Sequence, residues 1–197
     1  MSDDAPVPLP KLLEAASSMQ DFVVSRGWRF CFIGGLVVQR WGIERATKDA
    51  DLTVLTRFDD EPVMDALLAR FAARYAQPKE FAVRARVLFL QHENGVPIDV
   101  ALGALDFEER AIERGSWWEA RPGVRLFTCS ADDLIVHKAF ASRDRDWSDV
   151  DRILAVQRER LNVEQILTEL RPLVELKEDS GIIPKLEWMM RKHGLRG

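Results

Sequence analysis

Cysteine is scarce in this chain. Cys31 and Cys129 are the two in 197 residues. Both sit in apolar runs that read as strands, so buried thiols are expected, and a disulfide or a cysteine metal site is not. The three histidines, His92, His137 and His193, are scattered without zinc spacing. No apolar run approaches the roughly 20 residues that a membrane-spanning helix needs. An excess of basic charge is also missing. Lysine and arginine total 28 against 32 aspartates and glutamates, a formal net charge of −4. There is then no chain-wide field to draw in a nucleic acid, and any such contact has to be local. Arg191, Lys192, His193 and Arg196 read as a solvated basic tail. The opening MSDDAPVPLP is acidic and carries prolines, unlike the basic start of a secretory leader. The expectation is a cytoplasmic protein with no membrane partner.

What is present is an ordinary globular balance, 47% hydrophobic and 30% charged. The length suits one domain, or one domain with a helical appendage. The informative stretch is 30–54, FCFIGGLVVQRWGIERATKDADLTV. It reads as strand, glycine turn, short helix, loop, strand. Gly34 and Gly35 stand where strand hands over to helix. That position calls for tight backbone, and its N–H groups suit phosphate oxygens. Asp49 and Asp51 are two apart at the head of the next strand. Alternation turns both carboxylates to one face, about 6–7 Å apart at Cα. Such a pair suits Mg²⁺, which takes oxygen ligands and bridges to phosphates. Arg45 and Lys48 flank the pair and suit either phosphate charge or the aspartates themselves. Thr47 reads as a simple loop hydroxyl.

Elsewhere the pattern predicts an amphipathic helix over 10–25 and a strand over 29–33. A helix is expected over 60–75, its start near Asp59 and Asp60 and its buried face on Val63, Leu67, Leu68, Phe71 and Ala72. Residues 83–101 alternate around Asn94-Gly95 and read as a β-hairpin. Asp99 lies on its second arm between Ile98 and Val100, where an outward-facing aspartate needs no function. A short helix follows over 105–114, and then Trp117 and Trp118. These rings suit base stacking, but hydrophobic anchors with one wet edge are the commoner use. A strand is expected over 124–129. Ser130 caps a helix reaching about Ser142, with Lys138 near its apolar stripe and in need of a partner. Asp146 is expected to cap the next helix, and Asp149 to pair with Lys138 or Arg143. Helices over 147–158, 162–175 and 183–192 complete the chain.

The ordered set of glycines, D-x-D and hairpin aspartate resembles the signature of the DNA polymerase β-type nucleotidyltransferases. The run Arg45-Ala46-Thr47-Lys48-Asp49-Ala50-Asp51 is similar to the R-x-T-x-D-x-D form of minimal bacterial members. Those include abortive-infection toxins of type IV toxin–antitoxin systems. The resemblance implies an α+β fold, a mixed and mostly antiparallel sheet with helices packed on it. It implies a core at 1–129 and a helical region at 130–197. It also implies Mg²⁺ or Mn²⁺ on Asp49, Asp51 and Asp99, and a nucleoside triphosphate met by Gly34, Gly35, Arg45 and Lys138. The implied reaction moves a nucleoside monophosphate to an acceptor hydroxyl. An RNA end or a protein is the implied acceptor, in a toxin-like role with a cognate antitoxin protein as partner. Two alternatives stand beside this reading. One is a small-molecule transferase of the aminoglycoside type. The other is a non-catalytic nucleotide-binding module on the same fold.

Overall fold

A computed structural model describes residues 7–56 and 60–195. Of the expectations above, Asp59 and Arg196 lie outside these residues. The chain divides into two compact units. The first holds 1–36 and 46–129; the second holds 37–45 and 130–197.

The first unit is built on a seven-stranded sheet. In chain order its elements are α1 (Leu9–Ser25), β1 (Phe30–Ile33), the start of α2 (Gly34–Trp41), β2 (Ala50–Leu55), α3 (Glu61–Arg70), β3 (Ala72–Ala73), α4 (Pro78–Ala85), β4 (Val87–Gln91), β5 (Pro97–Gly103), α5 (Asp106–Glu113), β6 (Ser116–Arg121) and β7 (Val124–Thr128). The sheet order is β3-β4-β5-β2-β1-β7-β6. β2 runs parallel to β5, and β1 parallel to β7; the other neighbours are antiparallel. This is the mixed, mostly antiparallel α+β architecture expected from the sequence. Alternation sets its core. Leu88, Leu90, Ile98, Val100 and Leu102 are fully buried, while Phe89 and Asp99 between them are half-exposed. α1 buries Leu12, Leu13, Ala16, Met19 and Val23 at helical spacing. Its Gln20 also bonds the β7 backbone, donating to Arg125 O (2.8 Å) and accepting from Phe127 N (2.9 Å). Cys31 and Cys129 are both buried and not disulfide-bonded.

Three elements differ from expectation. The 60–75 helix, capped by Asp60 (Val63 N to Oδ1, 3.3 Å), stops at Arg70. Phe71 is extended, and Ala72–Ala73 pair with Gln91 and Leu90. Apolar residues at 71 and 72 fit a helix face and a strand equally, and an open sheet edge decides for the strand. The first hairpin arm begins at Val87, because Pro78 starts α4 and carries Val83–Ala85 as helix. Left-handed residues, Gln77 (φ 53°) and Arg86 (φ 57°), bound that helix. Arg86 is held there by Nη2 bonds to Leu102 O (2.9 Å) and Glu108 (2.7 Å). Trp117 and Trp118 lie in β6. Trp117 is exposed but packs against Phe127 at 5.4 Å between centroids, an anchor with one wet edge.

The second unit contains α6 (Ala131–Ala141), α7 (Asp144–Gln157), α8 (Val163–Lys177) and α9 (Ile182–Lys192), with the remainder of α2. Ser130 caps α6, accepting from Asp133 N at 3.1 Å. α7 starts two residues ahead of Asp146, with Arg143 at the cap position. Asp146 is therefore in the first turn rather than the cap. The basic tail is not merely solvated. Lys192 and His193 both close on Asp151, at 3.1 and 2.8 Å, and hold its carboxyl below the ordinary aspartate range, His193 contributing most.

Candidate active site

Parallel pairing of β2 with β5 puts Asp51 directly beside Asp99. Asp49 precedes β2 by one residue and shares the Asp51 face. One carboxylate oxygen from each of the three comes within 4.8 Å of the others, and all three residues are half-exposed. The strand carrying Asp99 thus reaches Asp51 from 48 positions away through sheet topology alone.

Neighbouring groups fix these acids. Gly34 has φ +69°, and a Cβ there would overlap the Asp51 carboxylate. Glycine is required both for the left-handed backbone and for the space. The Gly35 N–H donates to Asp51 Oδ2 at 3.3 Å, at the N-terminus of α2 where a negative charge is favoured. The first service of the glycine pair visible here is to seat a carboxylate. Thr47 is 2% exposed, and its hydroxyl donates to Asp49 Oδ1 at 3.0 Å. It is a buried orienting group, not a loop hydroxyl of no consequence. Arg74 was not anticipated. It follows β3 and its Nη2 donates to Asp99 Oδ1. No spacing rule connects positions 74 and 99, so sequence carried no signal for it. Three hard oxygen donors of like charge converging on one point fit Mg²⁺ or Mn²⁺ by donor chemistry.

Arg45 and Lys138 belong to the second unit, where both close on Asp149. Arg45 donates from Nε and Nη2 to its two oxygens, each at 2.6 Å. Lys138 Nζ lies 3.0 Å from Asp149 and 3.1 Å from Asp146, and Arg143 Nε is 2.6 Å from Asp146. Asp149 is fully buried and Asp146 is 1% exposed. Burial pushes both carboxyls up, but the guanidinium and ammonium groups outweigh it and hold both below the usual carboxylate range. Lys138 is itself buried and does not snorkel.

No protein-family model matches the sequence, and no curated protein is detectably similar to it. Solved structures are similar in fold. An antigenic nucleotidyltransferase-like protein from Paracoccidioides brasiliensis superposes with a TM-score of 0.52 at 15% identity, over 93% of this chain and 95% of that one. The fold is nucleotidyltransferase-like. The lincosamide antibiotic adenylyltransferase LnuA, in its lincomycin-bound form, matches at TM-score 0.49 and 12% identity, over 77% and 99% of the two chains. The antibiotic-resistance factor ANT(2'')-Ia matches at 0.48 and 14%, over 93% and 91%. Among the described residues no helix is long and apolar enough to cross a membrane.

Proposed function

We propose that the protein is a metal-dependent nucleotidyltransferase. The supporting observation is the meeting of Asp49, Asp51 and Asp99 at one point on a sheet of this fold. These three residues would hold Mg²⁺ or Mn²⁺, which when bound neutralises phosphate charge and polarises the reacting phosphoryl group. Asp51 is positioned by the Gly35 N–H and Asp49 by Thr47. Backbone at Gly34 and Gly35 receives the triphosphate. Asp99 orients the acceptor hydroxyl and accepts its proton. The acceptor oxygen bonds to the α-phosphorus as the bond to the β-phosphate oxygen breaks, and pyrophosphate leaves. The resemblance alone implies Arg45 and Lys138 as phosphate contacts; within the second unit both are engaged by Asp149. The acceptor is an RNA end or a protein hydroxyl, in a toxin-like role opposed by an antitoxin protein. A small-molecule acceptor is the alternative.

Incubating the protein with Mg²⁺, each labelled nucleoside triphosphate and a cell extract should label an acceptor. Asp51→Ala should lower that labelling by on the order of 10²–10³-fold or more, the range for losing one preorganised electrostatic contact. Mg²⁺ with a non-hydrolysable triphosphate should raise the melting temperature of the wild type and not that of Asp51→Ala. Equal labelling by the two proteins at high concentration would sink the reading.

A further inference from the structure

Beyond the acids, the same sheet face carries an aromatic cluster. Phe89 is the register partner of Asp99 across β4 and β5, so both side chains leave one face together. Tyr75 and Phe81 lie near-parallel, 5.7 Å between centroids and 23° between planes. Phe89 meets both edge-on at 5.4 Å. Such rings normally go inside, yet Tyr75 is 54% exposed and Phe81 45%. Arg74 joins this cluster to the acids. Its guanidinium bonds Asp99 and sits 4.9 Å from the Phe89 centroid and 5.8 Å from that of Tyr75. Its Nε is buried and meets no acceptor among the described residues. The Arg74 side chain as a whole is 22% exposed, so its guanidinium still presents surface beside the rings.

We propose that Arg74, Tyr75, Phe81 and Phe89 form the acceptor subsite, and that it takes the terminal nucleotide of a single-stranded RNA. This rests on the transferase reading above and selects among its acceptors. The base stacks on the exposed rings, and a backbone phosphate oxygen meets the exposed edge of the Arg74 guanidinium. The hydroxyl to be modified then lies beside Asp99, the register neighbour of Phe89. A polycationic sugar has no planar ring to stack and meets an arginine at this wall. The segment 70–86 carries Arg70, Arg74, Lys79, Arg84 and Arg86 against Glu80, in a chain whose net charge is −4. Arg74, Lys79 and Arg86 are paired with Asp99, Asp65 and Glu108, so Arg70 and Arg84 are the cations of this segment placed to meet an anionic backbone.

Fluorescence anisotropy of a 5′-labelled single-stranded hexaribonucleotide with the full chain, without triphosphate, tests the subsite. The wild type should bind at low salt. Phe81→Ala and Tyr75→Ala should each weaken binding by roughly 5- to 100-fold, the range for losing one base–ring stack. Tyr75→Phe should keep it, since the ring face is what is used. Trp188→Ala removes an exposed ring of the second unit and should change nothing. No binding by the wild type, or equal loss in Phe81→Ala and Trp188→Ala, overturns the proposal. So does a concentration-dependent dimer abolished by Phe81→Ala in a protein that ignores the oligonucleotide. Binding of Mg²⁺ with a non-hydrolysable triphosphate, measured on the same proteins, separates the two readings. If that binding is present and lost in Asp51→Ala while the hexaribonucleotide fails to bind, the subsite falls and the transferase reading stands. If it is the same in wild type and Asp51→Ala, the transferase reading falls.

Discussion

Each unit gathers acidic side chains, and the two gatherings are opposites. Asp49, Asp51 and Asp99 are half-exposed on a sheet face. Asp146 and Asp149 are sealed among helices and gripped by Lys138, Arg45 and Arg143. A sealed carboxylate must be matched by charge inside the protein, because water is out of reach. A half-exposed one tolerates repulsion from its neighbours and can exchange partners. The first arrangement suits a ligand site, and the second suits a joint that holds helices α6 and α7 in place. Carboxylate count alone says nothing about function; access to solvent separates the two roles.

The largest test of this contrast is Asp149→Ala. It takes the bidentate partner from Arg45 and leaves Lys138 with Asp146 alone, an excess of buried positive charge that should cost about 3–5 kcal/mol in urea unfolding. Asp51→Ala should stay within about 1 kcal/mol of the wild type, since it removes a half-exposed acid whose bond from the Gly35 N–H is long, at 3.3 Å. Similar losses in both would erase the distinction.

Acid should act on the sealed pair next. Both carboxyls are held below their ordinary value in the folded protein. Their contribution is therefore complete above the unfolded pKa of about 3.9 and is lost as pH falls through the folded values. Urea melts from pH 6 to pH 2 should show wild-type stability falling below about pH 4. The profile of Asp149→Asn should be flatter over that interval.

A smaller effect is expected from Gly34→Ala. The left-handed backbone alone costs about 1–2 kcal/mol, and the added methyl pushes on the Asp51 carboxylate. Thermal melts should show that loss, with a reduced Mg²⁺-triphosphate shift as well. Unchanged melts with an intact shift would show that the glycine serves neither backbone nor acid.

Local chemistry was legible in the sequence; long-range pairing was not. Asn94-Gly95 announced the hairpin, and Gly95 does take φ +86°. The spacing of Asp49 and Asp51 announced a shared face, and Ser130 and Asp60 announced their caps. Asp99 could be placed on a strand by its hairpin but beside Asp49 and Asp51 only through the resemblance, because the parallel pairing of β2 with β5 leaves no local mark. Arg74 was invisible for the same reason, lying at the end of a two-residue edge strand whose partner is distant in the chain. Helix was expected through 75, and strand from Val83, where apolar residues satisfy both periods and tertiary pairing or a proline decides. The Trp117–Trp118 strand was missed because adjacent tryptophans hide the alternation of β6.

The side-by-side placement of Asp51 and Asp99 makes this pocket a matter of counting. Successive strand residues look to opposite sides, so a one-residue slip of β5 along β2 would send the Asp99 carboxylate through to the buried side. Ile98 would then take its place among the acids. The same slip would expose Ile98, Val100 and Leu102, so the buried face that holds the sheet also holds the acids in register.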